Sequence, residues 1–245
     1  MQSALDKADI YYFLIIQKTL QGQFKAAIEY GLKALQLLGS ELPIDNVENF
    51  IEQELAYIKQ KLANTTPLSL LKHLLMSDPQ KKAALKIINT LHSPCYISAP
   101  RELHRATILM GMRLSLDYGN SPESCLIYVR YGYLLCTFSQ QYELGYDFAN
   151  LATQLAEQLQ APIERCKSSL TTYLFVHGWS KPIYLLPSQA DAGFKACLNY
   201  GDLTYAAYFS ALKIWTLFDV GVNLEKIQQE ATVMLQFTQS IKHKA

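Results

Sequence analysis

The sequence predicts an all-α protein, an irregular array of antiparallel helix pairs with about twelve helices. Three observations carry this. Apolar residues recur at spacings of three and four along most of the 245 residues, the signature of one-sided helical burial. Strand signals, alternating β-branched residues closed by Asn-Gly or Asp-Gly, are nearly absent. Glycines and prolines fall between the periodic stretches, where they stop and start helices.

The first helix is expected over Leu5–Leu20, broken by Gly22. The second runs from Phe24 to Leu38, with Phe24, Ala27, Ile28, Ala34 and Leu35 on its inner stripe and Lys25, Glu29 and Lys33 outside. Gly39 is placed to cap it and Pro43 to prevent its continuation. Asp45 or Asn46 can cap a third helix over Val47–Leu62, whose apolar set is Val47, Phe50, Ile51, Leu55, Ile58 and Leu62. A short helix is expected over Leu68–Met76. Another follows over Gln80–His92, opened by Pro79 at its favoured first position. Residues 93–99 read as irregular, with Cys95, Tyr96 and Ile97 able to extend. Pro100 then opens a helix carried to Tyr118. In the break over Gly119–Ser124, Ser121 can cap a helix over Pro122–Ser139. Helices follow over Tyr142–Leu159 and Pro162–Val176, then an irregular loop over His177–Pro182. The last three are expected over Pro187–Tyr200, Leu203–Phe218 and Leu224–Lys244.

Composition narrows the function. Half the residues are hydrophobic, 18% are charged and the net charge is +1, so a folded chain is expected with neither nucleic acid nor an anionic membrane as partner. Basic Lys242-His243-Lys244 reads as a solvated helix end. The apolar run Tyr11–Ile16 is too short to cross a bilayer. Five cysteines, odd in number and without a CxxC, read as buried free thiols in a reducing cytoplasm. One domain over residues 1–245 is expected.

Three hairpins share a finer pattern. Gly132 precedes Tyr142 by ten residues, with Gly145 three further on; Gly193, Leu203 and Ala206 repeat this, as do Leu14, Phe24 and Ala27. Small residues on facing helices let two backbones approach. The run Gly22-x-Phe24-x-x-Ala27-Ile28 with Ala34-Leu35 resembles the tetratricopeptide hairpin, and Tyr142-x-x-Gly145-x-x-x-Ala149-x-x-Ala152 resembles it more loosely. The spacing between units is uneven, so the fold expected is an irregular tetratricopeptide-like array.

A longer likeness runs through Leu32–Pro43, Ser115–Ser124, Tyr131-Gly132, Gly145–Ala152 and Gly201–Tyr208. These stretches resemble the helical region of very large bacterial hybrid signalling proteins, common in cyanobacteria. That family joins a serine/threonine kinase, an AAA-type ATPase, the helical region, a GAF sensor and a histidine kinase. The resemblance implies a fragment of such a protein, or a short product carrying only the helical part. It implies protein partners among the kinase, ATPase or sensor domains. The chain itself has no phosphate-binding GxxxxGK(S/T), no His-Arg-Asp and no Asp-Phe-Gly, so it is read as a non-enzyme without cofactor.

His73, His92, His104, His177 and His243 are scattered, with no ligand spacing, so no metal site is expected. The 16 tyrosines are an excess that recognition surfaces favour, although helical arrays also use Tyr as half-buried packing. Loops presented by a rigid scaffold are the better candidates. Asn120 and Glu123 in one, and His177, Trp179 and Lys181 in the other, are the candidate partner-binding residues, with Arg130, Tyr131 and Tyr133 as groove candidates. The function expected is a non-catalytic protein-binding scaffold or regulatory segment of bacterial signal transduction. The alternative is a helical module that senses a small-molecule effector.

Overall fold

A computed structural model of the protein describes residues 3–242. Among these residues no strand occurs; helices carry the fold, and one isolated parallel bridge joins Leu75 to Asn120. The chain packs as two compact units, one ending at Tyr131 and the other beginning at Gly132. Among the described residues no helix is long and apolar enough to cross a membrane.

The first unit contains α1 (Ala4–Leu20), α2 (Phe24–Leu37), α3 (Val47–Leu62), α4 (Pro79–Ser98) and α5 (Arg101–Tyr118), and the start of α6 (Pro122–Ser139). Helix α1 opens on a reciprocal cap. Ser3 Oγ accepts from the Asp6 amide and Asp6 Oδ2 accepts from the Ser3 amide. The α1–α2 pair packs on α4, whereas α3 packs on α5. Asp78 Oδ1 caps α4 by accepting from the amides of Gln80 and Lys81.

Two expected elements differ here. Over Leu68–Met76 there is no α-helix; a 3₁₀ turn covers Pro67–Lys72, and the chain then extends to pair with Asn120. Residues 93–99 are not irregular, because α4 runs through Pro94 to Ser98. An internal proline removes one helical hydrogen bond. Here the ring itself is buried with Leu91 and Cys95, and the nearby hydroxyls of Thr90 and Ser98 bond back to Lys86 O and Pro94 O. Burial of that face offsets the local cost.

The second unit holds the rest of α6, then α7 (Tyr142–Gln158), α8 (Pro162–Phe175), α9 (His177–Ser180), α10 (Leu186–Asn199), α11 (Leu203–Asp219) and α12 (Leu224–Lys242). Residues 177–182, expected as an irregular loop, contain the single turn α9, and a 3₁₀ turn over Ile183–Leu185 follows. The expected basic end falls at the limit of the described residues, and His243 and Lys244 lie outside them. The glycine pair works as its spacing predicts. A Cβ on Gly132 would stand 2.4 Å from Gly145 O, so only glycine lets α6 and α7 approach there. At Gly193 the close neighbour is instead the Phe209 ring. Helices α8, α10 and α11 share a core built on Leu170, Ala190, Ala206, Phe209 and Leu212. All five cysteines are buried and free.

Candidate partner-binding site

The candidate residues divide by burial. In the first unit Asn120, Arg130 and Tyr131 are buried and Glu123 is half-buried. Asn120 ties the turn after α5 to residues 70–76. Its amide donates to Leu74 O, its carbonyl accepts from the Met76 amide, Nδ2 donates to Leu70 O, and Oδ1 accepts from Tyr128 OH, each at 2.7 Å. Every polar group of the side chain is used internally, so Asn120 offers nothing to a partner. The phenol of Tyr128, enclosed beside it, is pushed well above its ordinary range by burial. Gly119 is required beside it, at φ +99°, since a Cβ would stand 2.2 Å from Leu74 O. Arg130 Nη1 donates to Asn89 Oδ1 at 2.7 Å, and Asn89 Nδ2 donates to Glu123 O at 2.9 Å. Burial pushes the Tyr131 hydroxyl up to about 12. As groove candidates Arg130 and Tyr131 are therefore corrected: both face the interior of helical packing, which periodicity alone could not reveal.

In the second unit Tyr133 is half-buried, its ring 5.3 Å from Phe175. His177 is buried; Nε2 donates to Pro182 O at 3.1 Å, and Nδ1 has no partner. This bond closes the 177–182 turn. Trp179 stacks on Tyr142 with centroids 5.2 Å apart and planes 4° apart, while Nε1 donates to Phe175 O. Ser180 Oγ donates to Tyr142 O, and Lys181 Nζ lies 4.5 Å from the Tyr146 ring centroid. The turn is thus pinned across the start of α7. Trp179 still leaves 53% of its surface exposed.

That exposed surface lines a groove of about 390 Å³ together with Tyr173, Leu174, Ile183, Trp215 and Asp219. A second concavity of about 430 Å³ adjoins it, sharing Trp215 and Asp219 and adding Phe218 and Ile227. Both tryptophans of the chain meet one groove. Helix α11 explains why. Its inner face buries Ala206, Phe209, Leu212 and Thr216, yet its outer face is also apolar, with Tyr208, Trp215 at 61% and Phe218 at 65% exposure. Among the described residues, Asp219 is the sole charged one lining either concavity. The arrangement can bury an apolar surface and hold one cation.

Sequence reasoning singled out Trp179 and missed Trp215, Phe218 and Asp219. A signal was present: the stretch Leu203–Phe218 carries Lys213 as its one charged residue, and is more apolar than one-sided burial requires. Compared with known proteins, the chain matches no family model, no curated protein and no solved structure.

Proposed function

We propose that the chain is a non-catalytic protein-binding scaffold, a regulatory segment of a bacterial signal-transduction kinase or ATPase. The observation that carries the binding role is the aromatic groove on α11, where Trp179, Trp215 and Phe218 stay exposed around Asp219. Monomeric surfaces rarely leave adjoining large aromatics uncovered without a use, and Trp and Tyr are the residues on which interfaces concentrate binding energy. The occupant that fits is an amphipathic helix of a partner domain. Its apolar side chains would fill the two concavities either side of the Trp215–Asp219 ridge, and a Lys or Arg would pair with Asp219. The signalling assignment rests on the sequence resemblance, and the partner domains it implies are kinase, ATPase and GAF sensor.

The test is site-specific photocrosslinking in the host, with p-benzoylphenylalanine at Phe218 and, as control, at exposed Leu68. The expected result is a crosslink from position 218 to a kinase, ATPase or sensor polypeptide, lost on Trp215→Ala and weakened by Asp219→Asn. Crosslinks that are equal from both positions, or that survive Trp215→Ala, would overturn the reading.

A further inference from the structure

The first unit contains a cavity of about 310 Å³, between the turn after α2 and helices α3, α4 and α5. Its polar wall is Ser40, Glu41, Glu54, Lys81, Arg113 and Asp117. Two of the carboxylates differ in a way that matters. Asp117 is fully engaged: Oδ1 accepts from Tyr57 OH and lies 3.3 Å from Lys61 Nζ, and Oδ2 lies 3.6 Å from Arg113 Nε. Glu54 is not. Its side chain is 3% exposed, Oε1 accepts from Arg113 Nη1, and Oε2 is buried with no hydrogen-bond partner. A carboxylate oxygen shut away from water and left unpaired is costly.

The same cavity holds cationic donors with capacity to spare. Lys81 Nζ has three N–H groups and gives two, to Gly39 O at 3.0 Å and Ser40 Oγ at 3.3 Å. Its ammonium is further steadied 5.4 Å from the centroid of the Tyr118 ring. The Arg113 guanidinium rests 4.3 Å from the Tyr57 centroid and gives Nη1 to Glu54, leaving N–H groups of its fork for a second acceptor. Arg113 is 45% exposed, so its guanidinium is open to a second partner. Charges around the site cancel, with Glu41, Glu54 and Asp117 against Lys61, Lys81 and Arg113. A ligand with net charge of either sign gains little, whereas one carrying both signs pairs with both halves. The volume lies at the small end of ligand pockets.

We infer that this cavity binds a free amino acid or a zwitterion of similar size, its ammonium donating to the Glu54 carboxylate and its carboxylate accepting from Lys81 and Arg113. The inference is independent of the groove on α11. It gives the first unit an effector site of a defined chemical class.

The experiment is a thermal-shift screen of the purified chain against the twenty L-amino acids, followed by calorimetry of any hit. At ten times its dissociation constant, a ligand that binds only the folded chain should raise the melting temperature by roughly 3 °C. The N-acetyl form of the hit, lacking the ammonium, and its C-terminal amide, lacking the carboxylate, should each bind about tenfold or more weaker. Glu54→Gln should abolish preference for the parent over the N-acetyl form. Lys81→Met should bind the parent about tenfold weaker while leaving amide binding unchanged. Lys81→Met alone decides the matter if Glu54→Gln does not fold. The inference fails if no amino acid shifts the melting curve, or if a hit binds the variants and the blocked forms as well as it binds the native chain in its parent form.

Discussion

The two units differ in where they place their conspicuous polar and aromatic residues. The first turns its conspicuous side chains inward: Asn120 clamps residues 70–76, Arg130 bridges to Asn89, and His104 Nε2 lies 3.0 Å from His92 Nδ1. The second leaves more aromatics outside, at Trp179, Tyr184, Tyr208, Trp215 and Phe218, against Phe13, Tyr96 and Tyr118 in the first. A buried hydrogen-bonded network fixes one arrangement, since leaving any member unpaired is costly. An exposed aromatic face contributes little to folding and is available for association. The first unit should therefore be sensitive to single substitutions at its polar joints, and the second should tolerate changes on its aromatic face.

The sharpest contrast is between two glycines with positive φ. Gly119→Ala must place a Cβ against Leu74 O while holding φ +99°, and it should cost about 3–5 kcal/mol in urea unfolding. Gly201, at φ +74° with nothing within 4 Å, should lose only about 1–2 kcal/mol on the same change. Equal losses would mean that the Leu74–Asn120 bridge can yield, and the clamp would lose its meaning.

A pH series sharpens the comparison next. Burial, with Arg130 close by, lowers His104 from 6.5 to about 4, and His92 moves the same way for the same reasons with His104 adding to it. The Tyr96 ring packs against the pair, its centroid 5.5 Å from His104 and 6.1 Å from His92. The folded chain refuses a proton that the unfolded chain accepts, so stability falls as pH drops below 6.5 and levels near 4. By pH 5, above most carboxylate titration, His104 alone should have removed about 2 kcal/mol. Denaturant midpoints at pH 7 and pH 5 measure this, and His104→Phe should remove its share of the fall. Midpoints that do not move would show that the histidines already bind protons in the folded chain.

A smaller effect separates the units through their aromatics. Tyr128→Phe removes the hydroxyl that satisfies Asn120 Oδ1 and should cost about 1–2 kcal/mol. Trp215→Ala removes a far larger side chain, yet exposure at 61% should hold the loss within about 0.5 kcal/mol. If Trp215→Ala proves the more damaging, the face on α11 belongs to the core of the unit and is no docking surface.

The helices were legible because each is punctuated locally: Gly22, Pro79, Pro122 and Pro162 mark ends that the structure keeps. What surrounds a residue was not. Pro94 reads as a helix breaker, and only packing of its ring shows why α4 continues. Asn120 in a Gly-Asn-Ser-Pro break reads as an exposed loop residue, but a segment some fifty positions earlier covers it. Glu54 shares a face of α3 with Phe50, Ile51 and Ile58, one turn away on either side, and nothing local says that Arg113 comes to meet it. Trp215 was hidden for the opposite reason, since an apolar helix looks buried until its outer neighbours prove absent from the unit.

Ser121 gives the finest test of the same distinction. Its place before Pro122 marks it as an N-cap, and loss of such a cap ordinarily costs about 1 kcal/mol. In the structure its hydroxyl is buried and bonds to nothing, while Ser124 does the local work. Ser124 Oγ accepts from the Ser121 amide at 3.1 Å and from Ser115 Oγ at 3.0 Å. Ser121→Ala removes an unpaired buried oxygen, so stability should stay within about 0.5 kcal/mol or rise. Ser124→Ala strands a buried amide and a buried hydroxyl and should cost about 1–2 kcal/mol. Paired unfolding curves read the order directly. If Ser121→Ala is the costlier change, its hydroxyl caps α6 after all, and the turn at Gly119–Ser124 is held from its own sequence and not by the clamp through Asn120.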